Sequence, residues 1–180
     1  MQLQHLMGTA AAFPDTLPGP QSAAAELPAD RFEHYLALLL PLDRIMQPRD
    51  THPEGDVLYH SLQVFELTCD QNSWDEELLT AALLHDVGKG IDPRDAHSAG
   101  LMAVKGFITA RTRWLIQCLP SAHQLREGTL GRRAWRRLAS EPSWEELKCL
   151  AACDSGGRVP GRTVRTVHEA LDYLQDLDSA

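Results

Sequence analysis

Apolar residues recur along this chain of 180 residues at spacings of three and four, the period of a helix with one buried face. Phe32, Tyr35, Leu36 and Leu39 form one such stripe behind Asp30, a residue suited to cap a helix start, and Pro41 interrupts it. Val57, Leu58, Leu62, Val64, Phe65 and Leu67 form a second over 56–68, preceded by turn chemistry in Thr51-His52-Pro53-Glu54-Gly55. A third opens at Asp75, with Glu76 and Glu77 in the first turn, where the helix dipole favours acids. It runs through Leu78, Leu79, Ala82, Leu83 and Leu84, and Gly88 and Gly90 are expected to end it. Further helices are predicted near 96–107, 109–119, 130–139, 144–153 and 163–177, with Ser143 and Glu146 spaced as a capping box. No segment reads as a strand of convincing length, and no internal repeat is visible. The pattern predicts an all-α domain over 30–180, a compact bundle with short loops between neighbouring helices. Residues 9–28 are rich in Ala, Pro and Gly without a sustained period, so 1–29 read as an irregular N-terminal arm.

Composition adds a few constraints. A hydrophobic fraction of 43% and a charged fraction of 23% are ordinary for a soluble domain, and a chain of this size builds a core without a metal staple. A metal site here therefore reads as functional. Cys69, Cys118, Cys149 and Cys153 contain no Cys-x-x-Cys pair and read as core thiols, Cys149 and Cys153 sharing a helix face beside Leu147 and Leu150. A reducing cytoplasm is the expected setting. The N-terminal segment lacks the basic start and apolar run of a signal peptide, and the longest apolar stretch, 35–42, is too short to cross a bilayer. The net charge of −8 is uneven: residues 1–90 hold 4 Lys/Arg against 14 Asp/Glu, and residues 91–180 hold 13 against 11. That balance opposes bulk nucleic-acid coating but permits a local basic patch for an anionic substrate.

The chemistry concentrates in Leu83-Leu84-His85-Asp86-Val87-Gly88-Lys89, where an ionisable pair follows an apolar run. A bare carboxylate buried there costs several kcal/mol, so Asp86 needs a cation or strong donors. A divalent metal satisfies Asp86 and His85 together, and a metal-free Asp–His hydrogen bond is the plainer alternative. His60 lies on the preceding helix, where a neighbour can bring it opposite His85. Asp154 follows the apolar end of the 144–153 helix and opens onto Ser155-Gly156-Gly157. Two imidazoles and two carboxylates make a mixed N/O set that suits Mn, Fe, Ni, Co or Zn.

This order of His, His-Asp and Asp resembles the HD superfamily of metal-dependent phosphohydrolases. It is closer still to the HD region of bacterial CCA-adding tRNA nucleotidyltransferases. His52-Pro53-Glu54-Gly55-Asp56-Val57-Leu58-Tyr59-His60 resembles that region's opening. Ala82-Leu83-Leu84-His85-Asp86-Val87-Gly88-Lys89-Gly90 resembles its central motif, and Ala152-Cys153-Asp154-Ser155-Gly156-Gly157-Arg158 its close. The resemblance implies an all-α HD fold, His60, His85, Asp86 and Asp154 as metal ligands, and Asp86 as the bridge if a second ion is present. It places His97 at a position that serves a second metal or the phosphate, and His123 at one of two histidines before the closing helices. The other falls on Leu119 or Pro120, which leaves one ion or two open.

Lys89, one helical turn past His85, would reach a phosphate held on the metal. The implied reaction is hydrolysis of a nucleotide, cyclic nucleotide or other phosphate ester, with a metal-activated water as nucleophile. A metal-bearing module that binds a nucleotide or a protein partner without turnover is the alternative. Only residues 1–51 precede the region of resemblance, so nucleotide addition to tRNA is not expected of this sequence. Arg132, Arg133, Arg136 and Arg137 cluster around Trp135, either as a solvated basic face or as an anchor for a nucleotide phosphate or RNA.

Overall fold

The computed structural model describes residues 27–179, so the N-terminal arm read over 9–28 lies almost wholly outside the described residues. Eight α-helices and no strand are found among them. They are α1 (Arg31–Leu39), α2 (Val57–Asn72), α3 (Glu76–Leu84), α4 (Ala96–Ala103), α5 (Ala110–Arg126), α6 (Arg132–Ala139), α7 (Trp144–Gly156) and α8 (Val167–Asp178). Two 3-10 turns, Leu40–Arg44 and Val87–Gly90, follow α1 and α3. The all-α reading holds, with every predicted helix present.

α3 is the axis of the bundle. All seven residues from Leu78 to Leu84 are buried, and α2, α5, α7 and α8 pack around it. Nine residues make a marginal helix in water. Burying Leu78, Leu79, Leu83 and Leu84, worth roughly 1.5–3 kcal/mol each, holds it instead. Asp75 caps its start, accepting from the backbone N–H of Leu78. Arg111 of α5 grips the same carboxylate through both terminal nitrogens at 2.6 and 2.7 Å, while its Nε donates to Ser143 Oγ at 2.9 Å. That clamp ties the starts of α3, α5 and α7 together, at the far end of α3 from His85.

The structure revises several predicted boundaries. α3 stops at Leu84, four residues before Gly88, because the chain must turn to lay Gly88 against α4. A Cβ at Gly88 would stand 1.7 Å from the Ala96 carbonyl oxygen, so this approach requires glycine. α2 starts at Val57 and runs on to Asn72, which places His60 in its first turn rather than its middle. α5 continues through Pro120 to Arg126. Proline forfeits one helical hydrogen bond, but Leu119, Ser121 and Ala122 are buried on either side of it, and that packing outweighs the loss. α7 extends to Gly156, so Asp154 lies inside its last turn. Ser143 makes no cap bond, since Arg111 occupies its hydroxyl; the capping box belongs to Thr166 and Glu169 at the start of α8. Asp30 likewise precedes α1 without a side-chain cap bond. Cys118 and Cys153 are buried as predicted, Cys69 and Cys149 half-buried, and all four thiols are free.

Burial favours the neutral form of Asp75, but its hydrogen bonds to Arg111 outweigh this and hold the carboxyl below its usual range. A depressed acid stabilises the fold above its unfolded-state pKa, and that contribution disappears as pH falls through the folded value. Arg111→Met, which strands a largely buried Asp75, is expected to cost about 2–3 kcal/mol at neutral pH. Urea titrations of both proteins should show the difference shrinking below about pH 4. A constant difference down to pH 2 would assign the loss to packing.

Candidate metal centre

Two helices and one turn deliver the polar cluster. His60 comes from the first turn of α2, His85 and Asp86 from the turn that ends α3, and Asp154 from the last turn of α7. The helices bring these side chains together because α7 ends against α2: a Cβ on Gly157 would stand 2.8 Å from Val64 Cγ2, closer than packing permits. That contact lets the Gly157 carbonyl accept from His60 Nδ1 at 2.9 Å. His60, with no exposed surface, then presents Nε2 to Asp154 Oδ1 at 3.0 Å and to Asp86 Oδ2 at 3.9 Å.

His85 is aimed in the same way. Its Nδ1 bonds the Ala82 carbonyl at 2.9 Å, a carbonyl that the end of α3 leaves without a helical partner. Its Nε2 is buried and makes no hydrogen bond, at 3.4 Å from Asp86 Oδ2 and 4.0 Å from Asp154 Oδ1. Buried polar atoms are rarely left without a partner, and one facing two carboxylates and a second imidazole suits a cation. With metal–ligand bonds of roughly 2.1 Å, adjacent donors stand about 3.0 Å apart at right angles and about 3.4 Å apart at the tetrahedral angle. The separations of 3.0, 3.4, 3.9 and 4.0 Å fall in that range and slightly above it.

The charges agree with this geometry. Burial by itself would raise both carboxyls. Hydrogen bonds from His123 and His60 outweigh it at Asp154, as His85 and Lys89 do at Asp86, and both acids are held far below the usual carboxylate range. Burial pulls His85 down, but the Asp86 carboxylate more than offsets this and pushes it up to about 9. Two ionised carboxylates inside a helical core favour positive charge between them, which a divalent ion would supply in place of the imidazole proton.

The remaining predicted residues lie around this cluster. His123 contacts Asp154 Oδ2 at 2.6 Å, a position it reaches only because α5 passes through Pro120. His97, on α4, stands at the rim of an open cleft of about 340 Å³ that His85, His123 and Asp154 also line. Ile116, Leu119 and Pro120 of α5 form its apolar wall, and Gln124 and Glu127 its outer edge. Lys89 is not one helical turn beyond His85, since α3 has ended. From the 3-10 turn its Nζ reaches back to Asp86 Oδ2 at 2.6 Å and donates to Gln47 Oε1 at 2.7 Å.

Four residues beside the centre had no role in the sequence reading. Gln47, His52 and Glu54 arrive on the loop before α2, and Arg158 follows α7 with Nη2 3.8 Å from Asp154 Oδ1. Glu54 and His52 stood inside the opening motif, so their positions were visible although their contacts were not.

The HD domain family model matches residues 57–155, more than half of the chain, from the start of α2 to the end of α7. The chain belongs to the HD domain family. HD domains bind divalent metals and make up a superfamily of metal-dependent phosphohydrolases, and His60, His85 and Asp86 form a cluster in this chain that could hold such an ion. The chain is similar to the Multifunctional CCA protein of Hahella chejuensis, 35% identical over 144 residues, covering 66% of this chain and 32% of that one. It is also similar to the Multifunctional CCA protein of Teredinibacter turnerae, 44% identical over 50 residues, covering 28% of this chain and 12% of that one. The chain thus spans a third or less of the length of these relatives. No helix among the described residues is long and apolar enough to cross a membrane.

Asp86→Ala should abolish metal binding and leave the fold standing, because the apolar core surrounds α3 without it. Elemental analysis of protein purified without chelator is expected to find about one equivalent of a divalent transition metal in wild type. The variant should hold less than about a tenth of that, with an unchanged cooperative melt in chelator. Equal metal in both proteins would remove Asp86 from the ligand set.

Proposed function

We propose that this HD domain hydrolyses a phosphate ester of a small molecule, a nucleotide or cyclic nucleotide being the substrate class, and that residues 30–180 act as one unit in doing so. His60, His85, Asp86 and Asp154 would hold a divalent ion, with Mn, Fe, Ni, Co and Zn all compatible with the N/O donor set. The observation that carries this reading is the buried, unpartnered Nε2 of His85, facing two ionised carboxylates at the mouth of a cleft. A divalent ion, when bound, supplies Lewis acidity toward a phosphoryl oxygen and the means of making a nucleophile from water near neutral pH.

The protein's own groups divide the rest of the work. His123 and His97 face the cleft, where their rings can donate to the oxygens of a phosphate lying against the centre. Ile116 and Leu119 offer an apolar wall to the leaving group, and Gln124 and Glu127 offer polar contacts to its edge. Lys89 and Arg158 bring positive charge to Asp86 and Asp154, on which charge developing on the phosphoryl group can draw. An ammonium is a poor metal ligand, so Lys89 would act on phosphate rather than compete for the ion.

Wild type is expected to hydrolyse at least one of p-nitrophenyl phosphate, nucleoside monophosphates or 2′,3′-cyclic nucleotides, releasing phosphate from the monoesters or opening the cyclic diester to a nucleoside monophosphate, and to lose this in chelator. Lys89→Ala should keep its metal and lose about 10²–10³ in kcat/KM, the scale of one well-placed donor. His60→Ala should lose metal and activity together. Full turnover by Lys89→Ala would cancel its assigned role. A metal-loaded wild type that turns over nothing, yet binds a nucleotide, would establish the non-catalytic reading.

A further inference from the structure

The loop ahead of α2 lies outside the segment that matches the family model, yet it packs against the back of the centre. It is held by an antiparallel bridge between Met46 and Asp56 and by the hydrogen bonds Val57 N–H to Ile45 O and Gln47 N–H to Gly55 O. This hairpin-like return puts Glu54 beneath His60. The Glu54 side chain has no exposed surface. One oxygen, Oε1, lies 2.9 Å from His60 Nδ1 and accepts from His52 Nδ1 at 2.8 Å, and the other, Oε2, is buried with no partner. Neither lysine nor arginine pairs with it among the described residues.

A buried carboxylate flanked only by imidazoles is costly unless positive charge stands nearby. Across the His60 ring, at Nε2, Asp86 and Asp154 converge, and a cation held there would supply that charge. The Gly157 carbonyl takes the Nδ1 proton in line, and the Glu54 charge beside it favours the same protonated nitrogen. A metal-bound histidine is commonly supported through its far nitrogen in this manner, which fixes the tautomer and makes the ligating nitrogen more basic. His52 meets the His60 ring edge-on at 5.2 Å between centroids and holds Glu54 in place.

We infer that Glu54 is a positioning residue of the metal centre, its buried carboxylate, set against His60 Nδ1, holding the ring with Nε2 directed at the ion. The inference rests on the proposed ligand set and deepens it: the donor group extends to a residue that would never touch metal or substrate. It also gives a reason for a fully buried acid, which Gln would replace at almost no change in shape.

The test is Co(II) titration of the full chain, stripped with chelator and followed by the visible absorption of bound cobalt, for wild type, Glu54→Gln and Glu54→Asp. Glu54→Gln is expected to bind Co(II) about 10- to 100-fold more weakly, the scale found when an outer partner of a ligating histidine is lost. Its thermal midpoint in chelator should stay level or rise, because an uncompensated buried charge has been removed. Glu54→Asp should recover part of the affinity. A purely structural Glu54 would do the reverse, lowering the midpoint in chelator and leaving cobalt affinity within about twofold, and that result overturns the inference. Should Glu54→Gln fail to fold, Glu54→Asp decides: weaker Co(II) binding with an unchanged midpoint in chelator supports the role, and unchanged cobalt affinity with a lowered midpoint refutes it. Wild type that binds no cobalt would overturn the ligand set itself, and the inference with it.

Discussion

Asp154 stands inside the last turn of α7, in a core built of leucine, with imidazoles from α2 and α5 on its two oxygens and His85 of α3 close by. Keeping that carboxylate ionised in a low-dielectric interior is the constraint around which the domain is arranged. α7 must end close enough to α2 for the Gly157 carbonyl to meet His60, which leaves no room for a Cβ. α5 must pass through a proline to bring His123 onto the second oxygen. α3 must stop early to turn His85 and Asp86 inward. Each of these local departures from an ideal helix serves the same cluster.

The clamp at the opposite end works with the cluster rather than apart from it. Arg111 joins the starts of α3, α5 and α7 through charged hydrogen bonds, while His60, His85, His123 and Asp154 join their ends to α2. Between the two polar ends lies the dry contact of Leu78, Leu79, Leu83 and Leu84 with their neighbours. A helix fixed at both ends and packed on every side has little freedom to move its terminal residues. That rigidity keeps the side chains of the polar cluster in one arrangement.

The cleft beside the centre belongs mainly to α5. Its wall is apolar, its floor is the polar cluster, and the two histidines at its margin come from different helices. Such a division suits a ligand with one anionic group and one largely apolar part. α6, by contrast, buries only Leu138 and leaves Arg132, Arg133, Arg136 and Trp135 exposed, so it adds charge to the surface and little to the core.

Much of this was legible beforehand. The three-and-four spacing of apolar residues located every helix, and polar residues placed directly after apolar runs marked His85, Asp86 and Asp154, because burying charge without a purpose is too costly to be common. Boundaries were less legible where packing overrode local preference. Gly88 looked like a helix terminator, yet it is a contact point for α4, and the helix expected over 109–119 runs on through Pro120 because the residues around that proline are buried. What one-dimensional pattern could not contain is which groups meet across the fold. Lys89 finds Gln47, Glu54 and Gly157 meet on His60, and His123 finds Asp154, over separations that no helical period encodes. The sequence by itself determined the helices and the residues too polar to be buried idly; the tertiary structure alone decided their partners, because partnership depends on where distant helices end.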